Sequence, residues 1–415
     1  MAGVTPKVSC LTLGCRVNQS ETSVIEGTLK QNGIAIVPLH EHPDFCIINT
    51  CTVTGKSDAT SRQLIRKAAK TGAKVIVTGC YSELRPDEVL GMEGVFSVVP
   101  AQDKEKIAGA ILGSETKLLY HHHDRARPYL KVQDGCNFSC SYCAVPLARG
   151  RSRSLPLEAA VQRARDIDAQ GYHEIVLTGI HLGSYGQDLA EKTSLAELIK
   201  NILVHTGIHR IRLSSLEINE VGDELMEVLA DSRICRHLHL PLQSGSDKIL
   251  RLMSRNYSAI NYKKTVIRIA EKYSDLSIGT DVIAGFPGEG QKEFQETYRI
   301  IDDLPFSYLH IFPYSVRAGT AASHMKPSIP ATVITERTEL LRRLSRAKKE
   351  RHVRGHLQKI LDVIIEEKED NGYMSGTASN YLKVRMRSDN IKPGSMVFVR
   401  STAVEGTALK GFVVT

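Results

Sequence analysis

Apolar runs alternate with amphipathic segments through the first third of the chain. The runs at 8–13, 45–49 and 74–78 each end at a turn residue or a cysteine, which predicts buried strands. The segments 20–31 and 57–70 predict helices after the first two strands. Repeated strand–helix units indicate a doubly wound parallel sheet, and therefore an α/β fold for this part of the chain.

A second series of strand–helix units fills the middle of the chain. Strands are predicted at 128–133, 174–178, 209–213, 237–240, 277–283 and 308–312. Helices are predicted at 156–170, after a cap at Ser194, at 258–273 and at 291–303. Six units without a clear seventh predict an open, partial (β/α)6 barrel. The polar segment that precedes them, with His121, His122 and His123, predicts a linker, and metal binding by the histidines is the alternative.

The last part of the chain changes to a basic helix followed by short strands. Residues 331–360 carry six Arg and three Lys against three Glu. This excess favours contacts with phosphate groups through Arg342, Arg343 and Arg346, whereas a solvated helix face is the alternative. Short strands are predicted at 361–366, 373–378, 382–386, 396–399 and 409–414. They indicate a small β-barrel, a shape common among nucleic-acid-binding proteins.

Composition narrows the class of protein. A chain of 415 residues that is 42% hydrophobic is expected to form two or three domains with real cores. No apolar run approaches the roughly 20 residues that span a bilayer, and the N-terminus lacks a signal pattern, so we expect a cytoplasmic protein without membrane contact. Nine cysteines, three of them grouped, suit metal chemistry in a reducing compartment. The net charge of +8 is a mild indication of a polyanionic partner.

Cys136, Cys140 and Cys143 stand in a C-x3-C-x2-C motif. Soft thiolate ligands at this spacing select an iron–sulfur cluster or zinc. Three ligands on a four-iron cluster leave one iron open to bind a substrate or cofactor. A structural zinc site is the alternative, but it normally needs four ligands, and the nearest later candidate is His173.

Three further cysteines each follow a predicted strand of the N-terminal sheet, namely Cys15, Cys51 and Cys80. The carboxyl ends of parallel strands meet at one edge, so the fold would bring these thiols together. This arrangement predicts a second three-cysteine metal site, with ordinary buried thiols as the alternative. The remaining cysteines are expected in the core: Cys10, Cys46 and Cys235.

The C-x3-C-x2-C loop resembles the cluster-binding loop of the radical S-adenosylmethionine (SAM) enzymes. In that family the open iron of a [4Fe–4S] cluster chelates the amino and carboxylate groups of SAM. An electron then splits the sulfonium into methionine and a 5′-deoxyadenosyl radical. The resemblance implies SAM contacts in the cluster loop and beyond the strand ends, and the candidates are Tyr142, Gly179, Ser215, Glu217 and Gln243.

Nearly the whole chain resembles the methylthiotransferases, radical SAM enzymes that insert sulfur and a methyl group into a C–H bond. The shared motifs are LGCRVNQSE (13–21), NTCTVT (49–54), TGC (78–80), ARG (148–150), HLHLPLQSG (237–245) and DVIAGFPGE (281–289). The resemblance implies an auxiliary [4Fe–4S] cluster on Cys15, Cys51 and Cys80. It also implies an N-terminal methylthiotransferase domain at 4–118, a radical SAM core at 122–352 and an RNA-binding TRAM domain at 353–415.

Within that family, the segments CRVNQ (15–19), TGIHLG (178–183) and HIFPYS (310–315) resemble the branch that acts on N6-threonylcarbamoyladenosine. The implied reaction converts this nucleoside at tRNA position 37 to its 2-methylthio derivative. The implied partners are the tRNA anticodon stem-loop, SAM and a reducing electron donor. Sister branches that act on isopentenyladenosine-37 or on a ribosomal-protein aspartate are the alternatives.

The mechanism that the resemblance implies uses two SAM molecules. One methylates sulfur on the auxiliary cluster, and the other gives the radical that activates C2 of the adenine. No catalytic residue is implied beyond the cluster ligands. Two rival classes stay open: a radical SAM enzyme whose second cluster only relays electrons, and a non-catalytic RNA-binding iron–sulfur protein.

Overall fold

A computed structural model of the protein describes residues 6–113, 125–369, 372–388 and 390–414. The three consecutive histidines at 121–123, predicted to lie in a linker, fall outside these residues. Within the described ranges, no helix combines the length and the apolar character that crossing a bilayer requires.

The N-terminal part is an α/β unit built on one parallel sheet. Its sheet order is β2-β1-β3-β4-β5, and each neighbouring pair is parallel. Branched apolar side chains such as Ile47, Ile48 and Val77 fill the strands and are fully buried. The elements are β1 (Lys7–Thr12), α1 (Arg16–Gln31), β2 (Ala35–Ile36), β3 (Phe45–Thr50), α2 (Gly55–Ala69), β4 (Lys74–Gly79), α3 (Cys80–Leu84), α4 (Pro86–Leu90), β5 (Val95–Val98) and α5 (Lys106–Leu112). The predicted α/β fold is confirmed here.

Helix α1 begins at Arg16, four residues before the start that the apolar pattern predicts. Its first turns carry the polar residues Asn18, Ser20 and Glu21, yet all three are buried. The pattern of apolar positions therefore starts later than the helix does. The earlier start makes Cys15 the N-cap residue, in extended conformation, at the point where the chain leaves the sheet edge.

The central part holds the predicted partial barrel. Its parallel strands form two adjacent groups, β10-β9-β6 and β11-β12-β13, joined by a bridge between Ile211 and Ile234. Ser194 caps helix α8 (Leu195–His205), and Ser258 caps helix α11 (Ala259–Lys272), as the sequence predicts. The elements are β6 (Tyr129–Lys131), β7 (Gln133–Asp134), α6 (Val145–Arg149), β8 (Arg153–Ser154), α7 (Leu157–Ala169), β9 (Glu174–Thr178), α8 (Leu195–His205), β10 (Arg210–Leu213), α9 (Asp223–Val228), β11 (His237–His239), α10 (Asp247–Leu252), α11 (Ala259–Lys272), β12 (Ser277–Ala284), α12 (Gln291–Asp303) and β13 (Phe306–Pro313).

The tail is a long helix and a small closed barrel, as predicted. The barrel strands run in the order β14-β15-β16-β18-β17 around an apolar core that includes Val363, Met374 and Val399. The elements are α13 (Ala331–Arg354), β14 (Ile360–Lys368), β15 (Tyr373–Ala378), β16 (Lys383–Arg387), β17 (Met396–Glu405) and β18 (Ala408–Val414).

Two cations of α13 point into the protein rather than into solvent. Buried Arg337 donates to Glu289 Oε1 at 2.7 Å. Buried Lys348 donates to the carbonyl oxygens of Asp302 and Leu304, each at 2.8 Å. The charge that α13 presents to solvent is therefore smaller than its composition suggests, because both cations are used to hold the helix against the central barrel.

The tail barrel is docked on the central barrel through two buried arginines of β10. Arg210 and Arg212 both pair with Glu174, whose side chain is fully buried. Arg212 also donates to the carbonyl oxygens of Ala378 and Ser379, at 3.0 Å each. A buried charge network of this kind fixes the orientation of two units, since each unpaired member would carry a large desolvation cost.

Candidate functional site

The C-x3-C-x2-C loop lies between β7 and α6, beyond the end of the first barrel strand. Gly135 opens it with φ +69°, and a side chain there would collide with the carbonyl oxygen of Arg151. Main-chain hydrogen bonds then fix its course, from Cys136 N to Gly150 O at 3.1 Å and from Cys143 N to Cys140 O at 3.0 Å. The loop is thus held from both ends, with its three thiols gathered on it.

The three thiols of this loop lie near one another and are partly buried. Burial, together with the nearby charges of Cys140 and Cys136, raises the pKa of the Cys143 thiol to about 12. The clustering of the three thiols is what suits a metal, because a bound cation replaces their protons. Three soft donors on one short loop fit an iron–sulfur cluster with one open iron. The donor set therefore fits the group that the sequence motif implies.

Arg255 is a feature of this site that the sequence motifs did not indicate. Its side chain is only 4% exposed, and Nη1 donates to Cys140 Sγ at 3.3 Å. The same guanidinium pairs with Glu217 and donates through Nε to Tyr257 Oη at 3.2 Å. Burial raises the pKa of Glu217 in spite of that pairing. Arg255 thus ties a predicted SAM-contact residue to one thiol of the loop.

His181 closes the other side of the loop. Its Nδ1 lies 3.7 Å from Cys136 Sγ, Nε2 pairs with Glu220, and the ring centroid is 4.3 Å from that of Phe138. Burial opposes charge on the imidazole, but hydrogen bonds with Cys136 and Glu220 outweigh it and raise the pKa of His181 to about 10. The loop is therefore flanked by cationic side chains on two sides, which favours bound negative charge.

The predicted SAM-contact residues fall at different depths around the loop. A Cβ at Gly179 would lie 2.9 Å from Gln133 Oε1, so this backbone approaches the loop closely. Tyr142 packs edge-on to Phe286, with ring centroids 6.4 Å apart. Gln243 has φ +62° and accepts from Ile283 N at 2.9 Å, which anchors it to β12.

Ser215, in contrast, turns deeper into the barrel. Its Oγ lies 2.8 Å from Nδ1 of His239, a residue of β11. The structure therefore brings Gly179, Glu217 and Tyr142 to the loop, while it brings Ser215 to the barrel interior.

The three strand-end cysteines of the N-terminal sheet come together at one edge. They follow β1, β3 and β4, and a Cβ built on Gly14 would lie only 2.6 Å from Cys51 Sγ. Burial, and then the charges of Cys80 and Cys15, raise the pKa of the Cys51 thiol. Such mutual influence requires the thiols to lie close to one another. As in the loop, three soft donors fit an iron–sulfur cluster.

Arg149 bridges the two thiol groups. This residue ends α6, directly after the cysteine loop, and its side chain is 1% exposed. Nε donates to Cys80 Sγ at 3.3 Å, while Nη1 donates to Glu21 Oε1 and to Asp134 Oδ1 at 2.9 Å each. Asp134 immediately precedes the cysteine loop. One guanidinium therefore contacts the strand-end thiols and the base of the loop at once.

The predicted RNA-contact residues lie apart from these thiols on α13. Arg342, Arg343 and Arg346 are exposed, and Arg343 pairs with Glu339 at 3.6 Å. Their side chains are free to meet a polyanion, in contrast to the inward Arg337 and Lys348.

Two family models match the sequence. The Radical SAM superfamily matches residues 130–301, and a family described as Uncharacterized protein family UPF0004 matches residues 7–100. Among solved structures, the radical SAM methyltransferase TsrM from Kitasatospora setae is similar with a TM-score of 0.55, covering 77% of each chain at 14% identity. That likeness bears on the fold alone and agrees with the partial barrel.

Curated relatives match over almost the full length. The Threonylcarbamoyladenosine tRNA methylthiotransferase MtaB of Bacillus subtilis (strain 168) is 36% identical, over 94% of this chain and 92% of the relative. The MtaB protein of Aquifex aeolicus (strain VF5) is 38% identical over 87% of this chain and 93% of the relative. The tRNA-2-methylthio-N(6)-dimethylallyladenosine synthase of Acetivibrio thermocellus is 30% identical, over 98% and 91% respectively. The chain therefore belongs to the radical SAM methylthiotransferase family.

Proposed function

We propose that this protein converts N6-threonylcarbamoyladenosine at position 37 of tRNA to its 2-methylthio derivative. The observation that carries the proposal is the pair of three-cysteine sites joined by Arg149. Methylthio transfer needs a radical and a sulfur donor close together, and two adjoining metal sites suit that need. The substrate follows the printed names of relatives that are 36% and 38% identical.

Cys136, Cys140 and Cys143 would hold a [4Fe–4S] cluster, which when bound supplies the electron that cleaves SAM. Arg255 fixes the orientation of Cys140 and holds Glu217 at the site. We assign the SAM contacts to the residues that the sequence predicts, which are Tyr142, Gly179, Glu217 and Gln243 around the loop and Ser215 in the barrel interior. Gly179 lets the backbone pass close to Gln133 at the base of the loop, where a Cβ would collide with the Gln133 side chain.

Cys15, Cys51 and Cys80 would hold the auxiliary [4Fe–4S] cluster, which when bound presents sulfur to the substrate. Arg149 keeps this site in register with the loop, because it contacts Cys80 and Asp134 together. Burial of the guanidinium excludes water from the join between the two sites.

The assignment of domains follows from these roles. We propose a methylthiotransferase domain at 4–118, a radical SAM core at 122–352 and a TRAM RNA-binding domain at 353–415. The anticodon stem-loop would contact the exposed arginines 342, 343 and 346. A reducing electron donor completes the set of partners.

Nucleoside mass spectrometry of tRNA tests the function. A strain that lacks the gene should lose 2-methylthio-N6-threonylcarbamoyladenosine, and the wild-type gene should restore it. The 30% identical dimethylallyladenosine synthase supplies the second candidate function. Loss of the methylthio mark from isopentenyladenosine, with the threonylcarbamoyl derivative intact, would favour that candidate and refute the first.

A further inference from the structure

Three polar side chains meet inside the central barrel, on adjacent strands. His239 lies on β11, Asp281 on β12 and His310 on β13, and we refer to them as the lumen triad. Asp281 Oδ1 lies 3.1 Å from His239 Nε2 and 3.2 Å from His310 Nδ1. The two imidazole centroids are 5.3 Å apart. Neither the proposed cluster ligands nor the proposed SAM contacts include these residues.

The lumen triad has unused hydrogen-bonding capacity. His239 is 6% exposed, and its Nε2 lacks an aligned hydrogen bond although Asp281 is close. Its other ring nitrogen is taken by Ser215 Oγ at 2.8 Å, which fixes the orientation of the ring. His310 stands at the open end of the group, with 54% of its side chain exposed. Buried polar groups are normally paired, so this arrangement favours a polar ligand.

Chains of contacts connect the lumen triad to both thiol sites. From the cysteine loop, Arg255 joins Cys140 to Glu217, and Glu217 lies two residues beyond Ser215, the partner of His239. The triad therefore lies on the same wall of the barrel as the residues that contact the loop.

From the strand-end site, Arg16 follows Cys15 and donates to Tyr381 Oη at 3.1 Å. Tyr381 packs near Tyr308, with centroids 5.8 Å apart, and Tyr308 packs near His310, with centroids 5.2 Å apart. Side-chain contacts therefore connect the triad to the residue next to Cys15.

We propose that the lumen triad binds the N6 substituent of the substrate adenosine, a threonylcarbamoyl group. The proposal rests on the proposed function and names the residues that distinguish its substrate. The threonylcarbamoyl group offers a carboxylate, a hydroxyl and amide N–H groups, whereas an isopentenyl group offers none. A site built to hydrogen-bond strongly rejects an analogue that leaves its polar groups unpaired.

The electrostatics of the triad support this pairing. Burial opposes the charge on Asp281, but the imidazoles of His239 and His310 beside it outweigh this and hold the pKa of that carboxyl well below its usual range. The ionised carboxylate accepts from the hydroxyl or amide N–H groups of the ligand. Ring N–H groups of the histidines donate to the ligand carboxylate.

A divalent cation is the competing occupant. The donor atoms of two histidines and one carboxylate lie within 4.8 Å of one another, and several transition metals accept such a ligand set. Metal analysis distinguishes a bound cation from a bound substrate group. A bound zinc or manganese ion would add a metal that the iron–sulfur clusters do not contain.

Binding of anticodon stem-loops to the cluster-loaded protein tests the proposal. Fluorescence anisotropy compares a loop that carries N6-threonylcarbamoyladenosine with the same loop carrying adenosine. The test variants are His310→Phe, which keeps ring shape at an exposed position, and the near-isosteric Asp281→Asn. The control is His205→Phe, an exposed histidine at the end of α8.

We expect the wild type and the control to prefer the modified loop, and both test variants to lose about tenfold in affinity for it while keeping affinity for the adenosine loop. An unchanged preference in both variants would overturn the proposal, as would an equal loss for both loops or no preference in the wild type. Zinc or manganese that is stoichiometric and absent from His310→Phe would assign the triad to a cation instead. Methylthiolated product from the wild type shows separately whether the proposed function holds.

Discussion

The two three-cysteine sites are built in opposite ways. The loop site takes all its thiols from positions 136–143, whereas the strand-end site gathers Cys15, Cys51 and Cys80 from three strands of one sheet. Each site nevertheless has one buried arginine that donates to one sulfur, at 3.3 Å in both cases. Local spacing reveals the first site, and only topology reveals the second.

The arginines also differ in what they connect. Arg255 pairs with Glu217 and stays within the central barrel. Arg149 leaves the cysteine loop and reaches Glu21 and Cys80 in the N-terminal unit. The strand-end site is therefore completed by a residue from the other unit, which makes its geometry depend on how the two units dock.

The largest expected effect is on SAM cleavage. Changing Cys136, Cys140 and Cys143 together to Ala should abolish formation of 5′-deoxyadenosine, because the electron would no longer reach SAM. Liquid chromatography of the reaction measures that product. Cys10→Ala is a suitable control, since this cysteine lies within β1 and outside both sites. Cleavage retained by the triple variant would contradict the assignment of the loop.

The strand-end cysteines should show the complementary result. Cys15→Ala, Cys51→Ala and Cys80→Ala should each leave SAM cleavage in place and stop methylthio transfer, since the radical would form without a sulfur donor beside the substrate. Mass spectrometry follows both products in one reaction. Methylthiolated nucleoside from any of these variants would show that the three thiols do not act as one site.

The two arginines should each affect the reduction potential of one cluster. A hydrogen bond to a cluster sulfur raises its reduction potential, so Arg255→Met and Arg149→Met should each lower the potential of one cluster only. Removal of a charge-assisted bond worth about 1.5 kcal/mol or more corresponds to about 60 mV for one electron. Redox titration monitored by electron paramagnetic resonance resolves the two signals.

Both variants lose a buried ion pair, but only Arg149→Met loses one that joins the two units. It removes a cationic partner from the carboxylates of Asp134 and Glu21, which belong to different units. Breaking a buried ion pair lowers the free energy of unfolding by about 3–5 kcal/mol. Glu21 keeps Lys104 and Lys131 as partners, so we expect the lower end of that range. Denaturant unfolding measures this loss of stability.

For the redox titration, equal reduction potentials in the wild type and both variants would mean that the hydrogen bonds to sulfur only position the side chains.

The smallest effect concerns RNA affinity and leaves both thiol sites intact. Reversing Arg342, Arg343 and Arg346 to Glu should weaken tRNA binding and flatten its salt dependence. The slope should fall by roughly 0.7–0.9 for each phosphate group that the protein no longer neutralises. Filter binding at several salt concentrations gives the slope.

The same number of reversals on α11, at Lys264, Arg268 and Lys272, provides the control. All three are exposed in the central unit. An unchanged slope in the α13 variant would favour a merely solvated helix. Equal flattening in both variants would mean that total charge, rather than this face, governs the affinity.

The sequence predicted the strands and the larger helices because their cores are apolar and periodic. It missed the start of α1, where Asn18, Ser20 and Glu21 are polar yet buried. It also overstated the exposed charge of α13, because Arg337 and Lys348 find partners on other elements. In each case a tertiary partner decides the burial of a polar residue, and no local pattern contains that partner.

The candidate site divides in the same way. Cysteine spacing and strand ends carry the prediction of the two thiol sets. The interactions of Arg149, Arg255 and the lumen triad depend on residues up to 131 positions apart in sequence, such as Asn18 and Arg149. From the sequence alone, the arginine within the motif at 148–150 resembles a surface cation, and only the docking of the two units shows that it is buried.

We propose that the protein holds two separate clusters, one on each thiol set. Mössbauer spectroscopy of protein loaded with iron-57 tests it directly, with the wild type beside the two triple Cys→Ala variants. We expect about twice as much [4Fe–4S] signal per chain in the wild type as in either variant, with one cluster left in each. A wild type that matches one of the variants, or a variant that loses both clusters, would contradict it.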